Sequence, residues 1–384
     1  MTTFLHTADW QIGKPFGRID DPDKRARVRQ ERIDAVDRIG KVAAEQEASF
    51  IVVAGDLFDT PTADKATVSA ACSAIGRLGR PVYAIPGNHD HGGPGGIWEQ
   101  EFFRREHREL APNLHVLLET SPLELDDAIL LPCPLLRRHE PADTTAWLRT
   151  IESDLASFPG KPRIVLAHGG VRSFERRDED GGANQIDLDR LPDEAIDYVA
   201  LGDWHGTTQA GPKAWYAGTP EPDRFPRGED NQPGHVLVVT AARGAAPDVQ
   251  AVPTARLGWH EFSFDFAGDS SLDHLESTVN DLLAKRAGAD LLRLDLHGSL
   301  GLAASARLDR LLEAWQARLL RFDLTNRATV APNETELEAL TARGSDPLVS
   351  RVASRLVETA AADDHEAAVA RAALRELHAV CANP

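Results

Sequence analysis

The chain has 384 residues, 42% of them hydrophobic and 27% charged, with a formal net charge of −18. That length suits two domains with a sizeable core, and the balance of apolar and charged residues is that of a globular protein. The acidic surplus excludes nucleic-acid binding through the bulk field of the chain, so any phosphate binding has to be local, through metal ions or arginine clusters.

The opening residues, Met1 to His6, lack the basic and apolar regions of a signal peptide, so none is expected. Thr3 to Ala8 reads as a first strand that ends at Asp9-Trp10-Gln11. Asp23 to Glu47 carries Val28, Ile33, Val36, Ile39 and Val42 at helical spacing, with a charged outer face. Phe50 to Ala54 is a continuous apolar run ending at Gly55-Asp56, and Asp64 to Leu78 reads as a second helix capped near Thr62. Pro81 to Ala84 is a third buried strand, which breaks into Gly87-Asn88-His89-Asp90-His91 and then into glycines. Strand and helix therefore alternate over the first hundred residues, the pattern of a largely parallel α/β sheet.

Further on, Leu114 to Leu117 and Ala128 to Leu131 read as strands, and Thr144 to Ser157 as a helix. Arg163 to Ala167 is a buried strand ending at His168-Gly169, followed by a polar loop from Arg172 to Asp187. Tyr198 to Leu201 is another strand, ending at Gly202-Asp203-Trp204-His205. Trp215 to Gly218 and His235 to Val239 close the series, and Gly244 to Pro247 reads as a linker. Beyond it come strand (261–266), helix (272–285), strand (291–296), helix (303–319) and strand (324–330), then helices to the C-terminus. The expected division is residues 1–243 for a first domain, 244–335 for a smaller α+β domain and 336–384 for a helical segment with an apolar face that could dock a partner. No run of about 18 apolar residues is present, so no membrane span is expected. Three scattered cysteines, Cys72, Cys133 and Cys381, read as thiols of a reducing, cytoplasmic setting.

Five strand ends thus carry polar residues: Asp9 and Gln11; Asp56; Asn88, His89 and Asp90; His168; and Asp203 with His205. Parallel strands bring their carboxyl ends to one edge, where α/β sheets bind ligands. The set offers oxygen and imidazole donors without thiolate, which suits Mn²⁺, Mg²⁺, Fe or Zn rather than a structural thiolate site.

The order Asp-x-Gln, Gly-Asp, Gly-Asn-His-Asp, His-Gly, Gly-x-x-His resembles the five-block signature of calcineurin-like metallophosphoesterases. The flanking text, His6 to Gly13 and Val53 to Asp59, is similar to the SbcD-type nuclease branch, the catalytic partner of SbcC-type ATPases in double-strand-break processing. The resemblance implies a sandwich of two mixed β-sheets flanked by helices over the first domain, with a smaller α+β capping domain after it. It implies two divalent cations bridged by Asp56. Asp9 and His205 would hold the first, with Gln11 where the family usually has histidine. Asn88 and His168 would hold the second, with Asp203 where the SbcD branch usually has histidine. His89 matches the residue that assists the leaving group, and Asp90 the carboxylate that orients it. Oxygen in place of nitrogen at Gln11 and Asp203 shifts the expected metal towards Mn²⁺, with Mg²⁺ next.

These implications make the chain a DNA exonuclease or endonuclease, a homodimer through its early helices, with an SbcC-type ATPase and DNA as partners. The rival readings are a small-molecule or cyclic-nucleotide phosphoesterase and a non-catalytic scaffold subunit whose metal site has degraded at Gln11 and Asp203. Arg137 and Arg138, and Arg224 and Arg227, lie in expected loops and are candidates for DNA phosphate contacts. Arg25, Arg27, Arg29 and Arg32 read as a solvated helix face. His6 reads as a core or supporting histidine rather than a ligand, and Trp10 and Trp204 as packing beneath the site.

Overall fold

The computed structural model describes residues 1–151, 155, 158, 160–171, 182–226, 232–283, 286–331, 334–342, 346–362 and 364–382. Its apolar runs become the strands expected of them. In chain order the first part is β1 (Thr2–Thr7), α1 (Pro22–Glu45), β2 (Ile51–Ala54), α2 (Lys65–Gly76), β3 (Val82–Ile85), α3 (Glu101–Leu110) and β4 (Leu114–Val116). α1 starts at Asp21, whose side chain accepts the N–H groups of Asp23 and Lys24. α2 is capped by Asp64, not near Thr62: the Asp64 carboxylate accepts the Thr67 N–H at 2.9 Å. The four strands run parallel in this order.

Next come β5 (Leu123–Glu124), β6 (Ile129–Cys133), β7 (Arg163–His168), β8 (Gly170–Val171), β9 (Gln185–Ile186), β10 (Tyr198–Gly202), β11 (Thr208–Gly211) and β12 (Ala214–Tyr216). β13 (His235–Ala241) and β14 (Asp248–Pro253) then return to the other side of β1. Two six-stranded sheets result, β14-β13-β1-β2-β3-β4 and β11-β12-β10-β7-β6-β5, both mixed. In the stretch expected to be a helix from Thr144, the described residues form a short 3₁₀ turn, Ala146–Thr150. Residues 172–181, most of the expected polar loop, lie outside the described residues.

Side-chain alternation builds the sandwich. Phe4, Val52 and Ala54 from one sheet meet Leu130, Ile164, Leu166, Tyr198 and Ala200 from the other. The opposite faces, carrying Leu5, Ile51 and Val53, pack on Val36, Ile39, Val68 and Ile75 of α1 and α2. His6 shares the inner face. Its Nδ1 accepts from the Tyr198 hydroxyl at 2.9 Å and its Nε2 donates to the Leu201 carbonyl at 3.2 Å, so it is a core histidine as expected. Burial lowers its pKa to about 3 from 6.5, against the raising effect of the Leu201 bond. An unfolded chain takes up this proton near pH 6.5, while the folded one refuses it until about pH 3. Stability at this group is therefore complete above pH 6.5 and is lost on acidification, by up to ~1.4 kcal/mol per pH unit. Urea unfolding of His6→Gln should fall off less steeply than wild type between pH 6.5 and 4.

The first unit runs Met1–Leu257 and the second Gly258–Pro384, so the boundary is not at 243. The expected linker at Gly244 to Pro247 is the turn of the β13–β14 hairpin, closed by Ala245 N–H on Ala242 O at 3.2 Å. The unit ends where the buried Glu221 carboxylate accepts the N–H groups of Arg256 and Leu257 at 2.9 and 3.0 Å. The second unit contains β15 (Gly258–Phe266), α4 (Ser271–Leu283), β16 (Asp290–Leu300), α5 (Leu302–Arg318), β17 (Arg321–Asn326), β18 (Thr329–Val330), α6 (Glu334–Thr341), α7 (Pro347–Ala360) and α8 (His365–Ala382). Its strands are all parallel, and α4 and α5 bury Leu275, Val279, Leu308 and Trp315 against β16. The helical C-terminal segment belongs to this unit rather than forming its own: Leu340, Ala353 and Leu374 share a core with Leu302.

Candidate metal centre

The carboxyl ends of β1, β2 and β3 in one sheet face those of β7 and β10 in the other. Beyond the last ladder bonds the first two ends stay zipped: Asp9 N–H donates to Gly55 O at 3.1 Å and Gln11 N–H to Asp56 O at 2.8 Å. This path forces backbone that L-residues avoid. Asp9 (φ 53°), Gln11 (41°), Asp56 (56°) and Asp203 (99°) all sit in the left-handed region. Each costs on the order of 1 kcal/mol or more, and such strain collects at functional sites. Two motif glycines make room. A Cβ on Gly55, itself at φ 92°, would lie 2.2 Å from His168 Nδ1, and one on Gly87 would lie 2.2 Å from Asp56 Oδ1.

Asp9, Asp56 and His168 each offer a ligand atom, all within 4.8 Å of one another. His168 continues the inward parity of Ile164 and Leu166. Its Nδ1 donates to the Ala54 carbonyl at 2.8 Å, which leaves Nε2 aimed at Asp56 Oδ1 (3.6 Å) and Asp203 Oδ1 (3.7 Å). Fixing one ring nitrogen on a carbonyl so that the other points at a ligand group is the habit of metal-bound histidine. His168 Nε2 and Asn88 Oδ1 are both buried and have no hydrogen-bond partner. Burial lowers the His168 pKa, but the carboxylates of Asp56, Asp9 and Asp203 outweigh it and raise the ring to about 9. Burial raises Asp9 to about 6 despite the opposing His205 and His168. Charge concentrated this way calls for a cation. A divalent ion among Asp9, Asp56 and His168 would take the place of the proton on His168 Nε2, and this half of the site fits one.

The other half does not fit. Gln11 was expected to offer its carbonyl oxygen to a metal, but Oε1 accepts from the Lys14 ammonium at 2.6 Å. Its amide nitrogen faces Asp56 Oδ2 and His205 Nε2, both at 3.4 Å. His205 bonds Asp223 through Nδ1 at 3.0 Å, and Arg224 Nη2 stands 3.2 Å from its Nε2. Burial would raise the Asp223 carboxyl, but His205, Arg224 and Lys14 together hold it well below the usual range. Lys14 and Asp223 carried no signal in the sequence beyond lying three residues from Gln11 and one from Arg224.

A family model for calcineurin-like phosphoesterases matches residues 2–225, more than half of the chain. The chain belongs to the calcineurin-like phosphoesterase family. The SbcD subunit of the SbcCD nuclease from Bacillus subtilis (strain 168) is 27% identical to it over 297 residues, 67% of this chain and 68% of that protein. The crystal structure of TT1561 from Thermus thermophilus aligns at 14% identity with a TM-score of 0.41, covering 66% of this chain and 99% of that one. A second solved structure aligns at 13% identity with the same TM-score and the same coverage.

In this phosphoesterase the expected pairing of His89 with Asp90 is not made. Asp90 is wholly buried, and its carboxylate accepts Gly87 N–H at 2.7 Å and Phe58 N–H at 3.1 Å, bracing two strand-end loops. Burial, then the nearby Asp56, push it up to about 7. The residue behind His89 is Asp59: its carbonyl lies 2.8 Å from Nδ1 and its carboxylate 4.0 Å away. The His89 backbone N–H donates to Asp56 Oδ1 at 2.9 Å, which ties the His89 loop to that carboxylate.

Trp10 packs beneath the site as expected, its indole donating to Thr7 Oγ1 at 2.9 Å. Trp204 does not: it is 41% exposed. The left-handed turn at Asp203 ends the strand alternation on which that expectation rested. Arg32 is not on a solvated face either. It is 2% exposed and lies under the site, donating to the carbonyls of Trp10 (2.7 Å), Glu221 (2.9 Å) and Asp9 (3.0 Å) and to Thr219 Oγ1 (3.1 Å). Arg137 and Arg138 are exposed, on the segment that Gly92 N–H ties to the His89 loop through Leu135 O at 2.8 Å. Arg224 points into the site, and Arg227 lies outside the described residues.

Proposed function

We propose that this chain is a metal-dependent phosphodiesterase acting on DNA, the hydrolytic subunit of an SbcCD-like machine in double-strand-break repair. The observation that carries the reading is the buried cluster of Asp9, Asp56 and His168, with Asn88 Oδ1 and His168 Nε2 buried without hydrogen-bond partners and the His89 backbone N–H on Asp56. A divalent cation held by Asp56, Asn88 and His168, with Asp9 and Asp203 alongside, would supply Lewis-acid polarisation of the phosphate and a more acidic water. The oxygen-rich donors favour Mn²⁺ over Zn²⁺. The Asp59 carbonyl accepts from His89 Nδ1–H, so the ring as an imidazolium would have its Nε2 proton to give to the departing oxygen. Arg224 and Lys14 present positive charge on the Gln11 side, and Arg137 and Arg138 offer phosphate contacts from the adjoining exposed loop.

The likeness in sequence to an SbcD nuclease subunit supports DNA as the substrate. An SbcC-type ATPase would supply the basic surface that a chain of net charge −18 lacks. Leu348, Val352 and Val369 lie exposed on α7 and α8 and are candidates for that docking. Self-association through α1 and α2, in the cytoplasm, completes the reading. No described helix is long and apolar enough to cross a membrane.

The test compares linear duplex DNA, single-stranded DNA, a bis-ester dye and a monoester dye, each with Mn²⁺ and with Zn²⁺. The reading predicts cleavage of DNA and the bis-ester with Mn²⁺. Turnover of the monoester alone would replace the nuclease by a small-molecule phosphatase.

A further inference from the structure

We infer that the centre holds one divalent ion per chain, and that the Lys14 ammonium, paired with Gln11, stands where a second ion would otherwise bind. The inference rests on the metal-dependent reading above and departs from the two ions that the family resemblance implies.

Gln11 has a single atom able to ligate a metal, the amide oxygen. That atom is 2.6 Å from Lys14 Nζ. Flipping the amide would set its NH₂ against the ammonium, donor on donor, so the oxygen is committed to the lysine. Lys14 is itself anchored: Asp223 Oδ2 lies 2.7 Å from Nζ and Asp59 Oδ1 3.7 Å. Asp223 is buried and shared with His205 and Arg224, so neither cation is a loose surface group. His205 Nε2, the other nitrogen expected on a first metal, looks onto Arg224 Nη2 at 3.2 Å and the Gln11 amide at 3.4 Å. A dication on this side would meet two fixed positive charges at close range and would have to displace both hydrogen-bond sets.

The Asp56–Asn88–His168 side is the reverse. Asp9, Asp56 and His168 offer ligand atoms within 4.8 Å of one another, Asp203 Oδ1 lies 3.7 Å from His168 Nε2, and Asn88 Oδ1 is buried without a hydrogen-bond partner. The two halves are thus filled by different means, one by an exchangeable ion and one by the chain's own ammonium. Lys14 then does permanently what a second ion does in a two-metal site: it presents positive charge to the phosphate without an association step.

The experiment is a metal count on the full chain, saturated with Mn²⁺ and desalted, together with its electron paramagnetic resonance spectrum. The expected result is one ion per chain with the six-line signal of an isolated Mn²⁺. In the double variant Gln11→His, Lys14→Ala, folded by circular dichroism, the count should rise to two and the signal should become that of a spin-coupled pair. Two ions in wild type would overturn this inference and leave the metal-dependent reading standing. No ion in wild type would overturn both. A folded double variant that still holds one ion would overturn the role given to Lys14.

Discussion

His89→Ala should lower phosphodiester hydrolysis by about 10²–10⁴-fold, the usual worth of a positioned proton donor, with no change in bound ion. The imidazole holds no ligand position in this structure. Its Nδ1 is occupied by the Asp59 carbonyl, and what touches Asp56 is the His89 backbone N–H, which alanine keeps. Binding and proton transfer are therefore separable at this residue. Asp56→Asn should differ: it removes the carboxylate that lies 3.6 Å from His168 Nε2, so both the ion and the activity should go. A metal assay and a rate on the bis-ester substrate read the two effects side by side. A His89→Ala rate close to wild type would remove the histidine from the chemistry.

The largest effect on stability is expected at Arg32. Its guanidinium is buried, and it satisfies four acceptors, two just after β1 and two, on Thr219 and Glu221, in the stretch after β12. Removing it takes this donor from the buried Asp9 and Trp10 carbonyls, each worth about 1–3 kcal/mol, while Glu221 O keeps the Thr219 hydroxyl. Arg32→Met should therefore cost roughly 3–5 kcal/mol, the range seen when one partner of a buried charged network is lost. Arg32→Lys should recover little, because one ammonium cannot span a fork of this width. Urea denaturation measures the loss. Ion affinity should fall with it, since the strained backbone of Asp9 is held by the same guanidinium. A midpoint close to wild type for Arg32→Met would show that the loops after β1 and β12 hold themselves in place.

Much of this was readable in the residues. Short apolar runs such as Phe50 to Ala54 and Ile164 to Ala167, bounded by polar and glycine residues, read as buried strands, and the Gly55-Asp56 and His168-Gly169 steps mark where the chain leaves the sheet. The five strand ends do converge, across two sheets rather than along one. What escaped was set by hydrogen bonds between distant segments. Nothing in the neighbourhood of Asp223 announces that it will lock His205, Lys14 and Arg224 together. Nor does Asp59 differ in sequence from Asp90 as a candidate behind His89; the loop path decides between them. Arg32 did carry a signal. It sits four residues after Val28 and four before Val36, on the apolar stripe of α1, and a charge on that stripe has to find partners inside. α3 was not anticipated because Phe103 is its only fully buried side chain. β14 joined the sheet as an edge strand whose alternation, Asp248 to Pro253, is half exposed.

One place in the molecule decides the metal-dependent reading: the space among Asp56, Asn88 Oδ1 and His168 Nε2. An anomalous difference map from crystals of the full chain soaked in Mn²⁺ probes it directly. The expected map has a peak bounded by those three groups, with Asp9 and Asp203 alongside. A soaked crystal with no peak there, or with manganese bound only among other residues, would contradict the reading.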